Sequence, residues 1–421
     1  MNKELLKKII YDQHQVIKHC VIVDRDITLE KKANYVLVGL RRAGKTTLLY
    51  KRVQDLIREG VEWNQIIYIN FEDERLVGFT REDFDDILLV AEELSDKEHY
   101  FYFDEIQNIE GWEKFAIRIA NQGYKADITG SNATMLSKEV EARLGGRYIS
   151  KEVLPYSFKE YLRACGVNPH SYANKDIAKV NNLLEQYYVF GGFPETLNFI
   201  NKREYLSSLY QKVLYGDIIA HYKVRNENGM KLLVKKLSES VMQDISYSKL
   251  QNVIAGIGYK ISKEIIMDYC DYCQESFLVF KMENFYASFV NKSSYPKFYF
   301  RDNGVLSLFV DEKKASLLEN MVAINLYRNN EEVYYLKGNK TDVDFYVPDK
   351  NLLVQAAYSL KEYDSYDREV NSLIEYAKSS KEPSRLMIVT HDEKEEIEKD
   401  GYRIEVVPLK DFLLRSQLPT T

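Results

Sequence analysis

The chain has 421 residues, room for about three domains at roughly 150 residues each, and its 45% hydrophobic and 29% charged make-up is that of an ordinary globular protein. A net charge of −6 gives the chain as a whole no electrostatic footprint for nucleic acid, although a local basic face is compatible with it. The four cysteines form no disulfide framework, the first residues hold no apolar signal core, and no apolar run reaches membrane-spanning length, so a cytoplasmic protein with no membrane partner is expected.

In chain order, residues 1–32 read as a polar helical segment ending in Val-Ile-Val-Asp-Arg-Asp. Residues 35–47 then join an apolar strand to Gly39-x-x-x-x-Gly44-Lys45-Thr46, the pattern of a phosphate-binding loop. The chemistry needs this layout. Glycines let the backbone N–H groups of Gly39, Arg41, Arg42, Ala43, Gly44, Lys45, Thr46 and Thr47 wrap an anionic phosphate chain without Cβ clashes. Lys45 would place a charge at the β- and γ-phosphates, and the Thr46 hydroxyl would ligate Mg²⁺. The helix that follows turns its positive dipole end toward the same point.

Residues 66–71 form a second buried-strand pattern, residues 81–95 an acidic helix, and Tyr100-Phe-Tyr-Phe-Asp104-Glu105 a third strand ending in two carboxylates. Side chains alternate along a strand, so Asp104 would face the metal while Glu105 would act as general base on the attacking water. A complete strand lies in sequence between the phosphate loop and this acidic strand. In nucleoside triphosphatases that goes with an extra strand between the two in the sheet, an arrangement of ATP motors and switches. Gly111-Trp112-Glu113 opens another helix, and residues 126–132 read as a strand ending in small polar residues. Ser131 or Asn132 would sense the γ-phosphate or the water there; a polar turn capping the next helix is the alternative by spacing. Arg143 and Arg147 would reach the γ-phosphate of a neighbouring subunit, or else pair with acids at the surface.

The motifs together resemble the bacterial and archaeal AAA-type ATP-binding proteins that end in an uncharacterised domain similar to a restriction endonuclease. The resemblance rests on residues 39–49, Phe-Asp-Glu-Ile-Gln (103–107), Thr-Gly-Ser-Asn (129–132), Arg143-Leu-Gly-Gly-Arg147-Tyr, residues 154–158, Gly-Gly-Phe-Pro-Glu (191–195), Tyr-Phe-Arg-Asp-Asn-Gly (299–304) and Leu318-Glu319-Asn320, and it covers almost the whole chain. It implies an α/β architecture with an AAA-type P-loop parallel sheet at 1–155 and a helical lid at 156–235. A winged helix at 236–302 and a small α/β restriction-endonuclease-like domain at 303–421 complete the expected order. ATP and Mg²⁺ are the implied cofactors, with ATP hydrolysis the implied reaction; an ATP-dependent switch or DNA-binding module with little turnover is the alternative. A homo-oligomer that lends an arginine, and a DNA or protein client, are the implied partners.

Residues 156–235 are helical by pattern, broken at 191–194, with Asp217, His221 and Arg225 sharing a helix face, chiefly as an exposed charged stripe. Residues 246–302 read as helix, turn, helix and two strands. The second helix carries one lysine and three acids over 263–272, which suits packing or a protein partner better than DNA. Cys270 and Cys273 fall on it one turn apart, with no second pair to complete a zinc site, so buried structural thiols are expected. Beyond 303, two helices, three strands, a helix, two strands and a last helix follow the order of the restriction-endonuclease-like fold. That chemistry needs an acid, here Asp344, and Glu-x-Lys on the next strand, with Glu319 as a helix-borne ligand. The second position reads Gln355-Ala356-Ala357, so the tail is expected not to cleave.

Overall fold

The computed structural model describes residues 1–131, 138–171, 173–287, 295–310, 314–330, 332–338, 342–379 and 384–415. The chain divides into two compact units, Met1–Leu154 and Pro155–Thr421.

The N-terminal unit runs α1 (Lys3–His19), β1 (Asn34–Val38), α2 (Lys45–Arg58), β2 (Ile66–Asn70), α3 (Phe84–Leu94), β3 (Tyr100–Asp104), α4 (Trp112–Asn121), β4 (Lys125–Gly130), α5 (Lys138–Leu144) and β5 (Tyr148–Glu152). All strand pairings are parallel and the order is β2-β3-β4-β1-β5. Helices on a parallel sheet bury both of its faces, which is why β1, β2 and β3 read as unbroken apolar runs. An extra strand does separate β1 from the acidic β3, but it is β4; the strand that intervenes in sequence, β2, lies at the sheet edge. The segment from Val21 to Ala33 is not helical as expected from its polarity. Its Val-Ile-Val run disfavours helix through χ1 crowding.

The C-terminal unit begins with α6 (Phe158–Ala164), α7 (Asn174–Phe190), α8 (Lys202–Lys212), a π-helical stretch Val213–Ala220, and α9 (Glu227–Glu239). Four residues of π-helix stop about as far short of a full turn as four of α-helix run past it, so Asp217 and His221, the cap of that stretch, keep neighbouring directions, whereas Arg225 lies beyond the helical residues and does not extend the stripe. α10 (Tyr247–Gly256), α11 (Lys263–Glu275), β6 (Val279–Met282) and β7 (Lys297–Phe300) follow in the expected order, with β6 and β7 antiparallel. Ser262 caps α11 and turns Ile266, Tyr269, Cys270 and Cys273 inward, so both cysteines are buried thiols.

The remaining elements are α12 (Asn303–Leu306), α13 (Lys314–Asn329), β8 (Tyr334–Lys337), β9 (Asp342–Val347), β10 (Leu352–Ala356), α14 (Tyr363–Ser379), β11 (Arg385–Thr390), β12 (Glu395–Lys399), β13 (Tyr402–Pro408) and α15 (Leu409–Leu414). They build a mixed sheet ordered β12-β13-β11-β10-β9-β8. Strand β12 was not expected from sequence: it reads Glu-Glu-Ile-Glu-Lys and buries only Ile397, the charged signature of an edge strand.

The motifs of the second unit meet in one buried hydrogen-bond network. Gly191 has φ +70° and a Cβ there would lie 1.9 Å from Asp302 Oδ1. Asp302 accepts the N–H of Gly192 and of Gly304, each at 2.7 Å. Asn320 holds both backbone groups of Phe300 at 2.8 and 3.1 Å and donates to Asn303. The Gly-Gly, Asp-Asn-Gly and Glu-Asn motifs are therefore parts of one structural joint across the stretches assigned to lid, winged helix and tail. Among the described residues no helix is long and apolar enough to cross a membrane.

Candidate functional site

Strand β1 ends at Val38, and the loop to α2 leaves the carboxyl edge of the sheet. Gly39 takes φ +142° because β5 leaves the sheet against it: Val153 N–H donates to Val38 O at 2.7 Å, and a Cβ on residue 39 would lie 2.3 Å from Val153 O. Arg42 at φ 63° and Gly44 at φ +101° curl the loop back so that α2 starts at Lys45 with its N-terminus facing the loop. Lys45 is buried; its Nζ donates to Gly39 O at 3.0 Å and lies 3.9 Å from Glu105 Oε1. Arg41 pairs with Glu72 at 3.0 Å.

Asp104 and Glu105 stand at the same edge. Thr46 Oγ1 donates to Asp104 Oδ2 at 2.8 Å, Tyr68 OH donates to the same oxygen at 3.1 Å, and Thr129 Oγ1 donates to Oδ1. Burial and the neighbouring Glu105 push the Asp104 carboxyl up to about 6, against the pull of the three hydroxyls. Glu105 is also buried and sits in the left-handed region at φ 52°, its N–H donating to Thr129 Oγ1 at 3.0 Å. A non-glycine residue held there is strained, and such residues gather at sites where one side-chain direction matters. Its carboxylate accepts from Gln107 Nε2 at 2.6 Å.

These donors suit a nucleotide and its Mg²⁺. A hydroxyl and a carboxylate 2.8 Å apart are hard oxygen ligands, which Mg²⁺ combines with water and phosphate oxygens. Beside them are a glycine-bounded loop, a helix N-terminus and one buried ammonium, the requirements of a polyphosphate.

The structure thus gathers Gly39, Arg41, Arg42, Ala43, Gly44, Lys45, Thr46, Thr47, Asp104 and Glu105 at one edge of the sheet. Ser131, buried at the end of β4, has its Oγ 3.5 Å from Gln107 Nε2; Asn132 lies outside the described residues. Arg143 is half exposed and 3.5 Å from Glu113. Arg147 donates to Asn121 Oδ1 at 2.5 Å just before β5, whose first residue pairs with Asn34 at the start of β1. It therefore sits at the edge of the sheet opposite the Gly39–Thr47 loop of its own chain.

Sequence reasoning missed four participants. Tyr68, Thr129 and Gln107 lie inside quoted strands or motifs but carry no spacing signal of their own. Arg25 has none at all: it comes from the extended segment before β1 and ties Ala43 O at 3.1 Å to Leu154 O at 2.6 Å, bracing the loop from behind.

A second cluster of buried charge lies in the C-terminal unit. Asp344 on β9, Gln355 on β10 and Glu319 on α13 line one cavity with Asp342, Arg368 and Glu369. Ala357 stands at the lysine position of the endonuclease pattern, and no cation comes from β10. Instead Lys297, 2% exposed at the start of β7, places Nζ 3.1 Å from Asp344 Oδ1 and 3.6 Å from Glu319 Oε1. Several of the other polar atoms are taken up internally. Ala356 N–H donates to Asp344 Oδ2 at 3.1 Å, and Tyr299 OH to Glu319 Oε1 at 2.8 Å. Gln355 accepts from Asp344 N–H and donates to Glu369 and to Asp342 O. Burial lowers the Lys297 pKa, but Glu319, Asp344 and Asp342 outweigh it and hold the ammonium above its ordinary value. Glu319 holds its proton to higher pH than an ordinary glutamate, through burial and the repulsion of Asp344, so the ammonium pairs foremost with Asp344.

Comparison with known proteins agrees with the first unit and adds little to the second. A family described as an AAA domain matches residues 31–162, and a domain of unknown function matches residues 181–315. The uncharacterized protein MJ1544 of Methanocaldococcus jannaschii is 32% identical over 425 residues, 96% of this chain and 94% of that protein. An uncharacterized protein of Haemophilus influenzae is 30% identical over 395 residues, covering 90% and 94%. Among solved structures, a Walker-type ATPase of Pyrococcus abyssi aligns over 66% of this chain and 90% of its own, with 16% identity and a TM-score of 0.42. The Aeropyrum pernix Orc1 protein in complex with DNA aligns over 67% and 87%, with 14% identity and a TM-score of 0.30.

Proposed function

Because the chain belongs to the same family as the Methanocaldococcus jannaschii protein MJ1544, with an AAA domain at residues 31–162, we propose that it binds MgATP on the Gly39–Thr47 loop, hydrolyses it, and uses the cycle to reset an interaction module formed by its C-terminal unit. The observation that carries this reading is the contact of Thr46 with Asp104 at 2.8 Å beside Glu105, at the mouth of the loop and at the N-terminus of α2. Bound Mg²⁺ supplies charge neutralisation at the β- and γ-phosphates. The chain's own residues do the rest. Thr46 and Asp104 would hold the ion, and Lys45 would exchange its loop carbonyls for phosphate oxygens; Arg25 keeps the loop backbone in place. Glu105 takes one proton from a water whose oxygen bonds to the γ-phosphorus as the bond to the β,γ-bridging oxygen breaks, releasing ADP and phosphate. Arg143, exposed on α5, is the candidate for a subunit-bridging arginine; Arg147 acts in that way only on a neighbour's nucleotide.

The client is a protein in this reading. The outer face of α11 exposes Glu264, Ile265, Met267, Asp268 and Asp271. Apolar residues among acids repel a phosphate backbone and suit an apolar, basic-rimmed protein surface. In this reading the C-terminal unit does not cleave nucleic acid: Gln355 and Ala357 stand at the Glu and Lys positions that chemistry needs, and the Lys297 ammonium lies against Asp344 and Glu319, where the metal would sit.

The test is phosphate release by the full chain with and without duplex DNA. Turnover is expected, indifferent to DNA, lost in Lys45→Ala, and lost in Glu105→Gln with ATP binding retained. Turnover by Glu105→Gln at the wild-type rate rules out the base assignment, and strong stimulation by DNA rules out the protein-client reading.

A further inference from the structure

Gln107 lies two residues beyond the candidate base, in the 3₁₀ turn Ile106–Asn108 that follows β3. Its amide nitrogen donates to Glu105 Oε2 at 2.6 Å and lies 3.5 Å from Ser131 Oγ. Its amide oxygen is buried and accepts no hydrogen bond among the described residues. The orientation is fixed by chemistry: an ionised carboxylate only accepts, so the NH₂ must face Glu105 and the carbonyl oxygen must point away. Leaving a buried amide oxygen without a donor costs free energy that a methionine of similar length would avoid. A donor at that point removes the cost; the oxygen is closed to water in this structure, so a water meets it only when bound nucleotide opens the site, and hydrolysis brings the attacking water there beside the base.

We propose that Gln107 positions this water. The inference rests on the reading of Glu105 as the base. Gln107 Nε2 holds one carboxylate oxygen of Glu105 and so fixes the direction of the other. Gln107 Oε1 accepts one hydrogen of the water while Glu105 accepts the second, which aims the water's lone pair at the γ-phosphorus. The proton that Glu105 takes is the one released as the O–P bond forms; the hydrogen on Gln107 stays with the product phosphate. Ser131 completes the arc by linking the amide to β4.

The experiment compares Gln107→Met and Gln107→Ala with wild type and Glu105→Gln in the full chain. The readouts are kcat and KM for phosphate release, affinity for a non-hydrolysable ATP analogue, affinity for ADP–aluminium fluoride, and Tm. Both Gln107 variants are expected to lose about 10- to 100-fold in kcat, the size of a misplaced reactant, with KM and analogue affinity unchanged and Tm not lowered. ADP–aluminium fluoride, which places a water opposite the leaving oxygen, should bind more weakly by a similar factor. A kcat within threefold of wild type while Glu105→Gln is dead overturns the role of Gln107 and leaves the ATPase reading intact. Loss of analogue affinity and Tm in both variants also overturns it, since that is the mark of a structural residue. A wild type that neither turns over nor binds ADP–aluminium fluoride overturns the ATPase reading and this one with it.

Discussion

Replacing Lys297 by methionine tests the account of the C-terminal charge cluster. Methionine keeps the length and the apolar stem of lysine, so the change removes the ammonium and leaves little cavity. Lys297 is 2% exposed and its Nζ stands 3.1 Å from Asp344 and 3.6 Å from Glu319, itself 1% exposed. Removing one partner of a buried ion pair costs about 3–5 kcal/mol, because the other charge is left without compensation. Here the lower end applies. Glu319 already holds its proton strongly, and Asp344 keeps the Ala356 N–H and some solvent. A loss of about 3 kcal/mol, at roughly 2–4 °C per kcal/mol for a unit of this size, lowers the unfolding temperature of the C-terminal unit by roughly 6–12 °C. The assay is thermal unfolding without nucleotide, with and without Mn²⁺. Mn²⁺ should leave the wild type unchanged, recover part of the loss in Lys297→Met, and recover nothing in Lys297→Met combined with Asp344→Asn. A Lys297→Met protein as stable as wild type refutes the argument. So does a wild type that Mn²⁺ stabilises through Asp344, for the seat would then belong to a metal.

Arg25→Ala removes two charge-assisted bonds to Ala43 O and Leu154 O. About 2 kcal/mol of stability should go, with a matching fall in ATP-analogue affinity by calorimetry; unchanged affinity would show that the loop holds itself. Gly191→Ala brings a Cβ to 1.9 Å from Asp302, a side chain pinned by two backbone N–H groups, and should cost at least about 2 kcal/mol in denaturant unfolding of the C-terminal unit. Burial and then the repulsion of Asp344 push Glu369 up to about 7, so the folded state holds its proton more tightly than the unfolded chain does. Its contribution is full below the unfolded value near 4.5 and is lost as pH rises toward 7. Glu369→Gln should flatten the fall of stability across that window, by up to about 1.4 kcal/mol per pH unit, and unfolding at pH 5, 6, 7 and 8 reads it.

The candidate nucleotide site was legible because it is local. Gly39 to Thr47 is one loop, Asp104 and Glu105 are neighbours, and each announces itself by residue type at fixed spacing beside an apolar strand. The helices and strands of 246–302 were equally plain, since Ser262 and an apolar stripe mark α11 without help from the rest of the chain. Strand β12 was not: at an edge only one of its residues needs to be buried, so its sequence keeps the charge of a loop. The sheet order placed β4 beside β1 and sent β2 to the edge, a choice made by how helices pack on a sheet and not by the order of strands along the chain. Arg25 bracing Ala43, Gln107 meeting Ser131, and Lys297 standing between Asp344 and Glu319 span 18 to 129, 24, and 22 to 47 residues of sequence. Propensity and periodicity act over a few residues, whereas a buried charge or amide takes whichever partner the packed fold brings within 3 or 4 Å. The sequence by itself determined the candidate phosphate loop, its acids and most of the succession of elements; the tertiary structure alone decided which distant lysine and arginine, and which partner of the glutamine, complete the two polar centres, because only packing fixes distances between residues far apart in the chain.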